Sequence, residues 1–237
     1  MIKVSIIIPC YNEEKTIYSL LKKILYIKEF KKQIIIIDDF STDNSLKKID
    51  EIKNSFDELL IIKHNKNLGK GAAIKSSKKF INGDIVIIQD ADLEYNPNDI
   101  KSLIKPIING EFLVVYGSRV LNKNYFENIQ NFSHWFRIMG NVFLTKLSNL
   151  INNQNLTDAH TCYKVFSSKL FNKIKLEENN FNFCPEITTK ISKLKIKIKE
   201  LPISYNGRDY KEGKKIKSSD GIKAILTLVK YKFFKND

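Results

Sequence analysis

The chain has 237 residues, 43% hydrophobic and 28% charged, with 9 Gly and 5 Pro. That suits one globular domain with a real core, and it excludes a collagen, a disordered chain and a small disulfide scaffold. The formal charge of +14 admits nucleic acid, an anionic membrane or a phosphorylated substrate as partner.

Residues 4–9 (VSIIIP) form a continuous apolar run, the mark of a strand buried on both faces. The run is too short, and too polar at its end, for a signal peptide, so an intracellular protein is expected. Residues 13–28 set Ile17, Leu20, Leu21, Ile24 and Leu25 at helical spacing. A second strand, 34–37, ends in Asp38-Asp39, and Ser41 and Asp43 are placed to cap a helix running to about 56. Residues 58–63 are a third strand, followed by a helix to about Phe80. Residues 84–89 are a fourth strand ending in Asp90-Ala91-Asp92, and Pro97 opens another helix. Residues 111–117 are a fifth strand. Strands alternating with helices predict an α/β layered sheet, mostly parallel. Such sheets bind ligands at the carboxyl ends of their strands, where the polar clusters fall.

The second half predicts a long helix over 131–151 with Trp135 and Arg137, then a loop into a strand over 157–166. A helix follows Cys184-Pro185-Glu186, and residues 195–203 alternate Lys with Ile or Leu as a half-exposed strand does. Residues 206–217 read as a charged, mobile loop. Residues 218–234 read as an amphipathic helix with Ile222, Ile225, Leu228, Val229 and Phe233 on one stripe. That stripe suits either core packing or an anionic membrane surface. The whole chain, 1–237, is expected to be a single domain. No run approaches the roughly 20 apolar residues that span a bilayer. Cys10, Cys162 and Cys184 are too scattered for zinc and are expected as free thiols.

Charge is uneven. Residues 195–237 hold 12 Lys or Arg against 5 Asp or Glu, half of the net excess, so the C-terminal end is the basic part. Arg119, Arg137 and Arg208 are the only arginines among forty basic residues; in a chain that otherwise uses Lys, either they are kept where a forked donor suits phosphate or they fell there by chance.

There is no GxGxxG and no GxxxxGK[ST], so a dinucleotide site and a P-loop are disfavoured. Gly69-Lys70-Gly71 fits close helix–sheet packing as well as a ligand turn. Asp90-Ala91-Asp92-Leu93-Glu94 is the sharpest feature. Two carboxylates one residue apart at the end of a buried strand need a cation or hydrogen bonds. A hard divalent ion accepts one or two carboxylates together with substrate phosphates. A solvated turn is the plainer alternative.

These motifs occur in order, each at a strand end: Pro9-x-Tyr11-Asn12-Glu13, Asp38-Asp39-x-Ser41-x-Asp43, Asn65-x-Asn67-Leu68-Gly69-Lys70-Gly71 and Asp90-Ala91-Asp92. Together they resemble the family 2 glycosyltransferases of the GT-A fold. The later segments resemble the polyprenyl-phosphate (dolichyl-phosphate) mannosyl- and glucosyltransferases. They are Tyr116-Gly117-Ser118-Arg119, Thr157-Asp158 to Tyr163-Lys164-Val165-Phe166, Pro185-Glu186-Ile187, and Arg208 through Glu212-Gly213-Lys214-Lys215-Ile216 to Asp220-Gly221.

The resemblance implies a site. Pro9, Tyr11, Glu13 and Asp39 would hold base and ribose. Asp90 and Ala91 would line the sugar nucleotide, and Asp92 and Glu94, with Asp90 beside them, would bind Mg²⁺ or Mn²⁺. Arg119, Arg208 and Lys214 would contact donor or acceptor phosphates, and Arg137 the acceptor phosphate. It also implies transfer of a hexose, with inversion, from a nucleotide-diphosphate sugar to a polyprenyl phosphate at the cytoplasmic membrane face. A phosphate acceptor is ionised near pH 7 and needs no strong base; a hydroxyl acceptor on a saccharide or lipid would need one, for which Asp158 and Glu186 are the spare carboxylates. His64, His134 and His160 lack metal-ligand spacing and are expected in surface or loop roles. A basic nucleic-acid-binding protein is the rival of another class, but its acidic strand ends would repel a phosphate backbone.

Overall fold

The computed structural model describes residues 1–122, 125, 132–208 and 218–235. Its strands are β1 (Lys3–Cys10), β2 (Lys31–Asp38), β3 (Leu59–Lys63), β4 (Ile85–Ile88), β5 (Val114–Ser118), β6 (Lys164–Ser167) and β7 (Ile198–Pro202). Its helices are α1 (Ile17–Leu25), α2 (Ser45–Asp50), α3 (Lys70–Ser77), α4 (Ile100–Ile108), α5 (Phe132–Asn152), α6 (Ser168–Lys173), α7 (Phe183–Lys193) and α8 (Ser218–Val229). One seven-stranded sheet runs β3-β2-β1-β4-β6-β5-β7. It is mostly parallel; β6 alone among these runs against its neighbours β4 and β5.

The apolar runs are explained by burial on both faces. Ile6, Ile8, Ile34, Ile36, Ile85 and Ile87 face α1 and α4. The alternate residues Ile7, Val86, Ile88, Val114 and Phe166 pack with Phe183, Ile187 and Ile191 of α7, and Ile35 and Ile37 pack with Ala73 of α3. Each fully buried Ile contributes about 1.5–3 kcal/mol, so a strand that slipped by one residue would still be apolar on both sides. Register must come from elsewhere. Buried polar pairs supply part of it: Ser5 Oγ donates to Gln33 Oε1 across β1 and β2, and the Gly83 N–H donates to Ser5 Oγ at 2.9 Å.

The order of strands positions the site. The chain leaves β1 through α1 to β2 on one side, then returns through α3 to β4 on the other side. The loops after β1 and β4 therefore diverge and leave a crevice at the carboxyl ends.

The C-terminal helix departs from its predicted stripe. Ala224, Thr227, Leu228 and Tyr231 are buried, whereas Ile222, Leu226, Phe233 and Phe234 are exposed. A π-turn over Lys230–Phe234 causes part of this, with the Lys235 N–H donating to the Lys230 carbonyl at 3.1 Å. The wider turn carries Phe233 off the line of Leu228. The helix both packs on the core and presents an apolar outer face. Of the expected 206–217 loop only 206–208 lie within the described residues; Lys214 lies outside them.

Candidate active site

The loop after β1 is braced against the loop after β2. The Asn12 N–H donates to Ser41 Oγ at 3.0 Å, the Thr42 N–H to Asn12 Oδ1 at 2.8 Å, and the Glu13 N–H to Ser45 Oγ at 2.7 Å. Ser41 is thus a brace rather than a cap; Asp43 Oδ1 accepts the Ser45 N–H at the start of α2. Asn12 takes a positive φ of 51° here, a conformation Asn tolerates better than most residues.

Asp39 supports the turn into α3. Its carboxylate accepts the N–H groups of Leu68 and Gly69 at 2.8 and 2.7 Å, and His64 Nδ1 lies 2.7 Å away. His64 Nε2 is 2.9 Å from Ser76 Oγ. His64 is therefore a strut in the loop after β3, its side chain 8% exposed and both ring nitrogens satisfied by Asp39 and Ser76. The side chain of His134 lies outside what is described. Gly69 has φ 94°, and a Cβ there would stand 2.6 Å from the Asn179 carbonyl oxygen. The close approach expected of these glycines is to the 178–180 loop, not the sheet, and the Ala72 N–H donates to the Asn179 carbonyl at 2.9 Å.

Lys70, the first residue of α3, was not singled out from sequence. Its ammonium bonds Asp90 and sits 2.9 Å from Cys162 Sγ. Burial opposes its charge, but Asp90 holds it well above the ordinary lysine range. The signal was present as a cation between two glycines at a helix start.

The loop after β4 turns through Leu93 at φ 62°, and Asp92 Oδ1 accepts the Glu94 N–H at 3.1 Å. Arg208 then reaches in. Its Nη1 and Nη2 donate to the two Glu13 oxygens at 3.0 and 3.2 Å, and Nη2 also donates to Asp92 Oδ2 at 3.1 Å. Its backbone N–H donates to Glu94 Oε1 at 2.9 Å, and the Tyr205 hydroxyl donates to Glu94 Oε2 at 2.8 Å. The Asp92 carboxyl is pushed up to about 7, first by burial and then by the charges of Asp90 and Glu94, with Arg208 pulling the other way. Negative charge is thus only partly compensated.

Arg119 donates Nε and Nη2 to the two oxygens of Asp158 at 2.7 and 2.8 Å, and its backbone N–H donates to Oδ2 at 3.2 Å. Asn141 adds a fourth hydrogen at 3.1 Å. Asp158 is fully buried. Burial alone would raise its carboxyl, but Arg119 brings it below the usual range. That arrangement orients Arg119, whose guanidinium lies 5.0 Å from the Tyr205 ring centre; it does not leave Asp158 as a spare base. Glu186 is equally committed: it is buried, accepts the N–H groups of Glu177 and Glu178 at 2.7 and 2.9 Å, and pairs with Lys190 at 3.2 Å.

Pro9, Tyr11, Glu13, Asp39, Asp90, Ala91, Asp92, Glu94, Arg119, Arg137 and Arg208 line one cavity of about 870 Å³. Tyr95, Asn141 and Tyr205, absent from the sequence reading, line it too, as does His160 from its turn before β6, and so do Cys10, Cys162 and Cys184, none of them in a disulfide. The cavity continues between α5 and α8, past Phe136, Gly140, Leu144, Gly221 and Ala224. Asp158 is not part of this lining.

Among the described residues, no group of three or more His, Cys, Asp or Glu is placed to hold a metal ion by itself. Asp90, paired with Lys70, is not drawn into a three-carboxylate set. Asp92 and Glu94 remain as hard oxygen donors with excess negative charge. They fit a divalent ion whose other ligands come from phosphate and water.

Residues 5–175 match the family model described as glycosyl transferase family 2. The chain is 29% identical to a UDP-N-acetylglucosamine–dolichyl-phosphate N-acetylglucosaminyltransferase of Methanococcus voltae, over 97% of this chain and 96% of that protein. It is 28% identical to a dolichyl-phosphate beta-glucosyltransferase of Trichomonas vaginalis, over 97% of this chain and 73% of that protein. In three dimensions it is similar to glucosyl-3-phosphoglycerate synthase of Mycobacterium tuberculosis, crystallised with Mn²⁺, UDP and phosphoglyceric acid. That match has a TM-score of 0.73 and 18% identity over 100% of this chain and 80% of the other. The likeness extends to the same enzyme with Mg²⁺ and UDP, at a TM-score of 0.71.

Proposed function

Because the chain belongs to glycosyl transferase family 2, we propose that it transfers a hexose, with inversion, from a nucleotide-diphosphate sugar to a polyprenyl phosphate at a membrane surface. One observation carries this reading: a single cavity joins the carboxylates and arginines at the strand ends to the gap between α5 and α8. It offers a polar end for a nucleotide diphosphate and a largely apolar end for a lipid phosphate. The named relatives that act on dolichyl phosphate support it.

The chemistry follows from the residues. A phosphate oxygen of the acceptor attacks the anomeric carbon, the bond from that carbon to the diphosphate breaks, and its electron pair leaves with the nucleotide. The acceptor is ionised near neutral pH, so no carboxylate has to remove a proton; the commitment of Asp158 and Glu186 to buried partners agrees with this and disfavours a hydroxyl acceptor. Arg119, oriented by Asp158, stabilises phosphate charge. Pro9, Tyr11, Glu13 and Asp39 form the base and ribose end, Asp90 and Ala91 the sugar end, and Arg137 the acceptor end. Asp92 and Glu94 would hold Mg²⁺ or Mn²⁺, which supplies Lewis-acid stabilisation of the leaving diphosphate when bound.

No helix among the described residues is long and apolar enough to cross a membrane. Contact with lipid would come from the exposed Phe136, Met139, Phe143, Ile222, Leu226, Phe233 and Phe234 of α5, α8 and the π-turn. Each nearby lysine adds about 1 kcal/mol on an anionic surface.

The test is a panel of UDP- and GDP-sugars with undecaprenyl or dolichyl phosphate, the product scored by mass. A hexosyl-phospholipid supports the reading. Transfer only to a saccharide or lipid hydroxyl, or to neither, overturns the acceptor assignment.

A further inference from the structure

Arg208 stands apart from the other arginines of the site. Arg119 has its own buried carboxylate, Asp158, outside the cavity. Arg208 instead binds carboxylates inside it, and they are the ones a donor complex needs. Its fork spans both oxygens of Glu13 and reaches Asp92 Oδ2 at 3.1 Å, and its Nε lies 3.8 Å from Glu94 Oε1. Few acceptor positions remain on this set. Asp92 Oδ1 already accepts the Glu94 N–H, and the two Glu94 oxygens accept the Arg208 N–H and the Tyr205 hydroxyl. A divalent ion seeking Asp92 and Glu94 meets a guanidinium on the same carboxylates. Two cations cannot share them without repulsion.

A forked donor has a second suitable partner, the diphosphate itself. Resting on the reading that Asp92 and Glu94 serve a divalent ion, we propose that Arg208 is a resident counter-cation of the donor site. It holds Glu13, Asp92 and Glu94 until a nucleoside diphosphate draws it away, so the divalent ion binds well only together with the nucleotide. Arg208 thus sets the order of loading: a cation alone competes with it, and a nucleotide relieves that competition. By reciprocity the cation strengthens nucleotide binding by the same factor. The backbone bonds from Asn206 and Arg208 to Glu94 keep the arginine close to both partners.

The experiment measures Mn²⁺ binding by calorimetry to the wild-type chain, Arg208→Gln and Arg208→Lys, without nucleotide, with UDP and, in a parallel arm, with GDP. The wild type without nucleotide is expected to bind Mn²⁺ at least tenfold more weakly than Arg208→Gln. Arg208→Lys, which keeps the charge without the fork, falls between them. The nucleotide that binds raises wild-type Mn²⁺ affinity at least tenfold and raises that of Arg208→Gln by clearly less. Thermal unfolding with and without Mn²⁺ covers a Gln variant of reduced stability: Mn²⁺ then raises its melting temperature more than that of the wild type. Equal or weaker Mn²⁺ binding by nucleotide-free Arg208→Gln, with no larger thermal shift, overturns the proposal. Nucleotide binding with no Mn²⁺ binding in any arm overturns it together with the cation reading, and binding of neither ligand overturns the donor reading itself.

Discussion

Replacing Asp158 by Asn separates a positioning role from a catalytic one. The carboxylate is fully buried and receives three hydrogens from Arg119, at 2.7, 2.8 and 3.2 Å, and one from Asn141 at 3.1 Å. The Arg119 side chain is only 12% exposed. Asn keeps the shape and removes the charge, so a buried guanidinium is left uncompensated. Breaking one half of such a pair costs about 3–5 kcal/mol. For a chain of this size, each 1 kcal/mol moves the melting temperature by about 2–4 °C, giving a fall of about 6–20 °C. The effect depends on pH. The folded carboxyl lies below the usual 3.8 because Arg119 outweighs burial. Its stabilisation is therefore present above the unfolded value and is lost as pH falls through the lower folded one. The gap between wild type and variant should be full at pH 7 and shrink below about pH 4. Urea unfolding at several pH values measures it. The double variant Arg119→Met/Asp158→Leu should regain much of the stability without regaining transfer. A loss under about 1 kcal/mol, well below the broken-pair range, accompanied by a collapse of kcat would refute this and return Asp158 to the role of a base.

Three further outcomes are expected. Gly69→Ala, at φ 94° with the Asn179 carbonyl 2.6 Å from the new Cβ, should destabilise by more than about 1 kcal/mol and weaken donor binding; unchanged urea unfolding would show that the turn has room. Asp92→Asn should lose most turnover while keeping its melting temperature, because it removes a ligand charge from a crowded acidic loop; near-normal activity, or full wild-type activity in excess chelator, rules out the metal role. Ile222→Ser, Leu226→Ser and Phe234→Ser combined should cut sedimentation with anionic vesicles several-fold at little cost in stability, since all three are exposed; equal sedimentation would place the membrane contact elsewhere.

The strands and most helices were legible in the sequence because their signals are local. Residues 34–37 are apolar throughout and residues 4–9 are so apart from Ser5, and such runs belong to strands covered on both faces. The polar clusters at Glu13, Asp39 and Asp90 to Asp92 were legible for a related reason: each follows a buried strand directly, and parallel strands bring their carboxyl ends to one edge. What local signals leave open is partnership. Arg208 meets Glu13 across 195 residues, and Arg119 meets Asp158 across 39; both pairings depend on the strand order, which no short window contains. Asp158 read as a spare carboxylate because Arg119 lies 39 residues away; Glu186 read as one because its burial and the N–H groups of Glu177 and Glu178 that it accepts are set by folding, although Lys190 stands four residues on along α7. Lys70 read as a glycine-turn residue because Asp90, 20 positions on, becomes its neighbour only once β4 lies beside β1. The stripe on α8 divides between its two readings, with Leu228 in the core and Ile222 and Phe233 outside beside Leu226, which the stripe did not include, because apolar spacing does not record which side the core lies on. Packing against α5 and α7 decides that, and the π-turn after Val229 then shifts the phase.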